Sequence, residues 1–318
     1  LVSDGMRLLM VPADGGEARE LHAFAERQFR IEADVSRDGS RMAVLGDDLS
    51  LRVIALADGS VTDIAAPLEG ADRRSVPRFS PDGGSLAWIE DGDVRVRDAG
   101  GAITRVINVS RITDYAWAPD GESLAVCLRD EQLLGRGLHV VGREGGEMRQ
   151  VAAPSGNLFA ASFPAYSPDG QTIAFCRSWE GGALCFASAA GDDERLDIGP
   201  AFGTLHWLED GSGVLYDAAA NEMESEGIFF CAPDGEPAQV ADARGGFFDA
   251  TPAGDLVFAG GEDGSVTVSV LEDARSERRA LPDRTLPLDW ARCAWRPDGQ
   301  AIAVWSDGDE GAKLYVGG

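Results

Sequence analysis

The chain has 318 residues, 44% of them apolar and 26% charged, a balance that supports a large buried core and excludes a disordered tail. No run of 18 apolar residues occurs, so no helix is expected to span a membrane. Its 54 acidic residues against 28 basic ones give a net charge of −26, a field that repels polyanions and disfavours a nucleic-acid partner.

In chain order, Leu1 to Leu21 (LVSDGMRLLMVPADGGEAREL) reads as the end of one strand and two more. Starting at Leu rather than Met, it fits a processed secreted protein or a piece of a longer polypeptide. Next comes VSRDGSRMAV from Val35, a first strand, a turn and a second strand. LRVIAL (51–56) supplies a third strand, and ADGSVTDI a glycine turn and a fourth. FSPDGGSLAW (Phe79 to Trp88) begins the cycle again, with VRVRD (94–98) as its third strand. WAPDGESLAV (Trp117 to Val126), with LHVVG (138–142) and REGGEMRQVA, is another copy. YSPDGQTIAF (Tyr166 to Phe175) with LCFAS (184–188) follows, then WLEDGSGVLY from Trp207 with IFFCA (228–232). ATPAGDLVF from Ala250 with VTVSV (266–270), and WRPDGQAIAV (Trp295 to Val304) with Leu314 to Val316, close the series.

The turn glycines are Gly39, Gly83, Gly121, Gly170, Gly211, Gly254 and Gly299, spaced by 44, 38, 49, 41, 43 and 45 residues. That is the length of one four-stranded propeller blade, ~40–45 residues. Proline presets φ at such a turn, while Asp and Gly accept its tight geometry. Short alternating runs separated by glycine turns argue strands, and no segment has a capped helical period. The reading is therefore all-β: residues 1–318 as a single β-propeller domain of four-stranded blades. Seven blades are expected, the N-terminal strands completing the last one, with eight as the alternative.

The SPDG-x-x-IAF core, a LYVV-like strand and a GGE-x-x-x-L segment such as VPADGGEAREL resemble the PD40, WD40-like repeats of TolB-like propellers. The resemblance covers essentially the whole chain and implies a fold rather than a function. Similar propellers serve as periplasmic TolB, as gating domains of prolyl-oligopeptidase-family serine peptidases and in tricorn-type proteases, and some pectate-degrading lyases carry them.

Motifs for chemistry are sparse. GxSxG, HExxH and GxxxxGK[ST] are absent. His22, His139 and His206 fall at different phases of the repeat, so a shared metal site is not expected. Cys127, Cys176, Cys185, Cys231 and Cys293 form no CxxC pair; Cys127 and Cys176 occupy equivalent buried places, while Cys176 and Cys185 flank a hairpin within reach of a disulfide. EDGD (Glu90 to Asp93), SDGDE (Ser306 to Glu310) and GDDE (Gly191 to Glu194) lack EF-hand spacing and read as solvated turns. Asn108-Val109-Ser110 is a lone glycosylation sequon. No cofactor and no catalytic residue is expected, and the compartment is open.

In a propeller the connections from fourth to first strands form the inner rim of one face. Here they carry Arg73, Arg74, Arg111, Arg244, Arg284 and Arg292, interleaved with Phe163, Phe202, Phe247, Phe248 and Trp290. The loops between second and third strands are acidic: Asp47, Asp48, Glu90 to Asp93, Asp130, Glu131, Glu222, Glu224, Glu226, Glu262, Asp263 and Asp307 to Glu310. An Arg and aromatic ring inside an acidic collar suits a protein or peptide partner. The ligand-binding residues expected are Arg73, Arg74, Arg111, Phe163, Phe202, Arg244, Phe247, Trp290 and Arg292. The alternative is a substrate-gating propeller of a larger serine peptidase or tricorn-type protease.

Overall fold

The computed structural model describes strand backbone along the whole chain and side chains chiefly between residues 32 and 256. Within that span the connections at 69–73, 108–111, 130–134, 154–159, 179–181, 220–224 and 242–246, with a few shorter stretches, lie outside the described residues. Among the described residues the strands form eight antiparallel sheets, seven of them meanders in chain order and the other a meander with one added strand. Sheet I pairs Val2–Ser3, Arg7–Met10 and Arg19–Ala23. Sheet II pairs Glu32–Val35, Arg41–Leu45, Leu51–Ala55 and Val61–Ala65. Sheet III pairs Arg74–Phe79, Leu86–Glu90, Asp93–Arg97 and Ile103–Arg105. Sheet IV pairs Ile112–Trp117, Ser123–Arg129, Gly135–Gly142 and Arg149–Ala152.

Sheet V pairs Ala160–Tyr166, Thr172–Ser178, Ala183–Ser188 and Glu194–Arg195. Sheet VI pairs His206–Trp207, Val214–Ala219, Ser225–Cys231 and Ala238–Ala241. Sheet VII pairs Phe247–Ala250, Leu256–Gly260, Val266–Glu272 and Arg279–Ala280, with Arg284–Leu286 also on its third strand. Sheet VIII pairs Arg292–Trp295, Ile302–Ser306 and Lys313–Gly317. Sheets I and VIII are each three-stranded. The chain divides into two compact units, sheets I to IV in one and sheets V to VIII in the other apart from the first two residues of sheet V.

Gly39, Gly83, Gly121, Gly170 and Gly211 each fall between the first and second strand of their sheet, while Gly254 and Gly299 lie outside the described residues. Gly39, Gly83, Gly121, Gly170 and Gly211 have φ between +67° and +72°, the left-handed region that glycine enters without steric cost. In sheet III the Gly83 N–H donates to the Ser80 carbonyl at 2.7 Å and the Ser80 N–H to the Ser85 carbonyl at 2.9 Å. Proline at the second place and glycine at the fourth make this a type I turn followed by a left-handed residue, which closes a hairpin. The Asp82 carboxylate accepts the Gly84 N–H at 2.8 Å and the Ser80 hydroxyl at 2.5 Å. Asp38 and Asp169 do the same with Ser40 and Gln171 amides and with Ser36 and Ser167 hydroxyls. This Asx bonding explains why Asp recurs in the motif.

Those donors hold the Asp38 carboxyl down at about 2, the Ser36 hydroxyl contributing most, and lower Asp82 and Asp169 through Ser80 and Ser167. A carboxyl depressed on folding adds stability above its unfolded pKa, near 3.9, and loses it as pH falls through the folded value. Carbon-detected NMR titration is expected to place the Asp38 midpoint near 2, and Ser36→Ala to raise it. A wild-type midpoint at the unperturbed carboxylate value would remove the turn from the account of acid stability.

Second strands read as unbroken apolar runs because both faces are covered. Leu86–Glu90 and Ser123–Arg129 are buried along almost their whole length. Ala43, Leu45 and Leu51 of sheet II pack on Phe79, Leu86 and Trp88 of sheet III. Ile89, Val94 and Val96 of sheet III pack on Tyr115, Trp117, Leu124 and Val126 of sheet IV. In the second unit, Cys176 and Phe186 of sheet V meet Val214 and Tyr216 of sheet VI, and Leu215 and Ile228 of sheet VI meet Leu256 of sheet VII.

The repeat aromatic sits in these interfaces. Phe79 and Trp117 are buried, Tyr166 and Trp207 half-buried. The Trp117 indole N–H donates to the Arg78 carbonyl of sheet III at 3.1 Å, and the Trp207 indole to the Ala165 carbonyl of sheet V at 2.9 Å. Arg78 and Ala165 each lie immediately before their own repeat aromatic, so one sheet-to-sheet bond recurs at one place in the repeat.

The Cys176–Cys185 bridge that the spacing left open is not formed. Phe175 faces Cys185 and Cys176 faces Leu184 across the ladder, so the two thiols differ by one register step and lie on opposite faces. Both are buried thiols outside any disulfide, as are Cys127 and Cys231. Burial pushes the Cys231 thiol up to about 11.

Candidate functional site

The residues expected at the rim divide sharply. Arg73, Arg111, Phe202, Arg244 and Trp290 lie outside the described residues. Phe247 and Arg292 are placed by backbone alone, each opening the first strand of its sheet. Phe163 is described: it has φ +52° within the first strand of sheet V, and its ring packs partly buried against the core shared with sheet VI. A phenylalanine in the left-handed region is strained, and such outliers persist only where the surroundings hold them. Arg284 lies in a strand of sheet VII, opposite Val268, rather than in a connection.

Arg74, expected at the rim, lies in the seam between sheets II and III. Its side chain is 4% exposed. Its Nε donates to Glu90 at 2.8 Å and its Nη2 reaches the same oxygen. Nη1 donates to the Ala66 carbonyl at 2.9 Å and to the Leu49 carbonyl of sheet II's second turn. The guanidinium is thus spent inside the protein, where it fastens sheet III to sheet II.

The acidic collar also differs in part. Glu90-Asp91-Gly92-Asp93 is a two-residue hairpin with φ +54° at Asp91 and +79° at Gly92, the geometry that Asp-Gly favours between twisted strands. Only Asp91 of its carboxylates is exposed. Glu90 takes Arg74 and also lies 3.6 Å from Arg95, while the buried Asp93 pairs with Arg105. Asp47 and Asp48 are both exposed. Asp130, Glu131, Glu222, Glu224, Glu262, Asp263 and Asp307 to Glu310 lie outside the described residues, as do Asn108 to Ser110 and Asp192 and Asp193; Glu226 is placed by backbone alone.

A constellation that the sequence reading did not single out spans the first strands of sheets II, III and IV. Arg78 Nη2 lies 3.2 Å from Asp114 Oδ1, and Arg78 Nη1 donates to the Tyr115 carbonyl. The guanidinium also covers the Tyr115 ring at 5.2 Å, a cation–π geometry. On the other side, Asp34 Oδ2 accepts the Phe79 N–H at 2.7 Å. Burial raises the Asp34 carboxyl, outweighing that bond and the attraction of Arg78. The positions before the repeat's aromatic place hold Asp34, Arg78, Ala116, Ala165, His206, Asp249 and Ala294, a column that contains Asp34 and Arg78 but not Asp114.

In the second unit the same column places His206 Nδ1 3.9 Å from Asp249 Oδ1, with the imidazole 5.1 Å from the Phe248 ring. Burial lowers the His206 pKa and Asp249 opposes it. His139, on the third strand of sheet IV, is likewise lowered by burial. Among the described residues no group of three or more His, Cys, Asp or Glu is placed to hold a metal ion. No helix is long and apolar enough to cross a membrane among them either. Chemically, these arrangements join neighbouring first strands through charge.

No family model matches the chain. An uncharacterized peptidase, YuxL, of Bacillus subtilis is 30% identical over 109 residues, covering 30% of this chain and 16% of that protein. Among solved structures, dipeptidyl peptidase 4 of Porphyromonas gingivalis matches with TM-score 0.65 and 12% identity, over 98% of this chain and 55% of that one. An oligogalacturonate lyase in complex with manganese matches with TM-score 0.64 and 15% identity, over 83% of this chain and 82% of that one. The Cps50 (Swd1) β-propeller domain of Myceliophthora thermophila matches with TM-score 0.61 and 13% identity, over 91% and 98%. The chain therefore has the all-β architecture of β-propeller proteins, built from antiparallel four-stranded sheets.

Proposed function

We propose that this chain is a non-catalytic propeller that binds a protein or peptide partner at the rim of its channel. On this reading residues 1–318 are one domain of seven blades, the strands of sheet I completing the blade begun by sheet VIII, or of eight if each stands alone. The observation that carries the proposal is an asymmetry between the two ends of each meander. At one end the Asp-Gly turns between first and second strands close on themselves through their own hydrogen bonds. The sequence between fourth and first strands, by contrast, is where Arg73, Arg111, Phe202, Arg244 and Trp290 occur. Loops borne by a rigid scaffold are where recognition concentrates, and Arg and Trp are the commonest anchors.

A second reading is a propeller that gates substrate entry to a peptidase domain elsewhere in a longer polypeptide. It draws on the match over 55% of the Porphyromonas dipeptidyl peptidase 4 and 16% of the Bacillus peptidase.

The test is affinity capture from the source cells with the intact chain, followed by titration of the recovered protein. Arg244→Ala and Trp290→Ala are each expected to weaken binding by at least ~30-fold, about 2 kcal/mol, and Asp82→Ala to leave it unchanged. Loss confined to Asp82→Ala would move the site to the opposite end of the sheets. A fluorophosphonate probe applied to the source cells distinguishes the readings: labelling of a longer polypeptide containing this chain favours the gating role.

A further inference from the structure

We propose that a cleft between sheets II and III binds a small carboxylate with an apolar tail. The cleft, about 160 Å³, is lined by Arg41, Arg97, Phe79, Thr62 and the apolar side chains of Val53, Ile64 and Leu86, with Gly84 and Ser85 at one end. At roughly 30 Å³ per water it has room for about five waters, the size of a short branched acid rather than a sugar.

Charge is what sets the cleft apart. The chain carries 54 acidic residues to 28 basic ones, yet the lining has two arginines and no carboxylate. Arg41 lies over the Phe79 ring at 5.2 Å and donates from Nη2 to the Gly83 carbonyl, which fixes its guanidinium at the wall. Asp38 is the carboxylate that acts on Arg41, but its oxygens already accept from the Ser36 and Ser40 hydroxyls and the Ser40 amide. Arg97, from the third strand of sheet III, makes no ion pair with a described residue. Two guanidiniums lining one space, one of them without an ion pair among the described residues, match a single carboxylate, and the apolar lining of Val53, Ile64 and Leu86 matches a short hydrocarbon tail.

The repeat accounts for the space. At the place of Phe79, sheets IV and VI carry Trp117 and Trp207, whose indoles extend to the preceding sheet and bond its carbonyl. Phenylalanine lacks the second ring and the N–H, so the interface between sheets II and III is left incompletely filled. This site is separate from the proposed rim and does not depend on it.

A free short-chain acid and the C-terminus of a peptide present the same chemistry. The experiment titrates the intact chain by calorimetry and by amide NMR with isobutyrate, with isobutyramide, with an acetylated tripeptide ending in valine, and with that peptide's C-terminal amide. Saturable binding of either acid, tighter than about 10 mM, is expected, with shifts at Thr62 and Leu86. The amides are expected not to bind. Arg97→Gln and Phe79→Trp should each weaken binding at least tenfold; because Trp is the residue the repeat prefers there, Phe79→Trp keeps the fold. Binding of the peptide alone identifies a chain terminus as the ligand, and binding of isobutyrate alone a free acid. Absence of saturation, equal binding of acid and amide, equal binding of chloride or sulfate, or full affinity in Arg97→Gln would each overturn the proposal.

Discussion

Replacing Arg74 with alanine is expected to destabilise the chain by about 3–5 kcal/mol, because it removes one partner of a buried ion pair. The loss has two parts. Glu90, half-buried, keeps its charge without its principal counterion, having only Arg95 at 3.6 Å and the Trp88 indole at 3.3 Å. The Leu49 and Ala66 carbonyls lose a donor at a side chain that is 4% exposed. Arg52 provides the control: it pairs with Asp63, whose side chain is 84% exposed. Arg52→Ala is expected to change stability by under ~1 kcal/mol, as exposed pairs do. Urea unfolding followed by circular dichroism measures both. A cost below 1 kcal/mol for Arg74→Ala would return Arg74 to the list of rim residues.

Trp117→Ala is expected to cost about 3–5 kcal/mol, since a large aromatic leaves a cavity in the core between sheets III and IV. Trp117 is 9% exposed and packs with Tyr115, Leu124 and Val126 against Ile89 and Val96. Trp117→Phe separates packing from hydrogen bonding. It keeps a ring but leaves the Arg78 carbonyl without the indole N–H, for an expected loss of about 1–3 kcal/mol. The same pair of substitutions at Trp207, which is half-buried and bonds Ala165, should follow the same order with smaller totals. If Trp117→Phe were neutral, the recurring sheet-to-sheet bond would contribute nothing and the aromatic would act by volume alone.

The expected rim shows where reading residues singly fails. Arg74 and Arg73 are neighbours in the chain and look alike as loop arginines, yet Arg74 is the first residue of a strand and points into the seam between two sheets. Glu90, read as part of a solvated collar, is its counterion because the Asp91-Gly92 hairpin sets Glu90 opposite Asp93 and beside Arg74. Arg78, Asp34 and Asp114 carried no motif at all, and they came together only when three first strands were laid side by side.

The sequence by itself determined the repeat, its phase, the strand order within each sheet and the chemistry of the turns. Those features are local: a glycine at φ near +70°, an aspartate bonding the amide two residues on and an apolar run of four residues depend on near neighbours in the chain. Tertiary structure alone decided which charges are spent internally and which face of a strand each thiol occupies. Arg74 finds Leu49 from 25 residues away and Phe79 finds Asp34 from 45, distances over which no periodic signal reaches. Cys176 and Cys185 are parted by a single register step, and because side chains alternate along a strand, one step is enough to send them to opposite sides of the sheet.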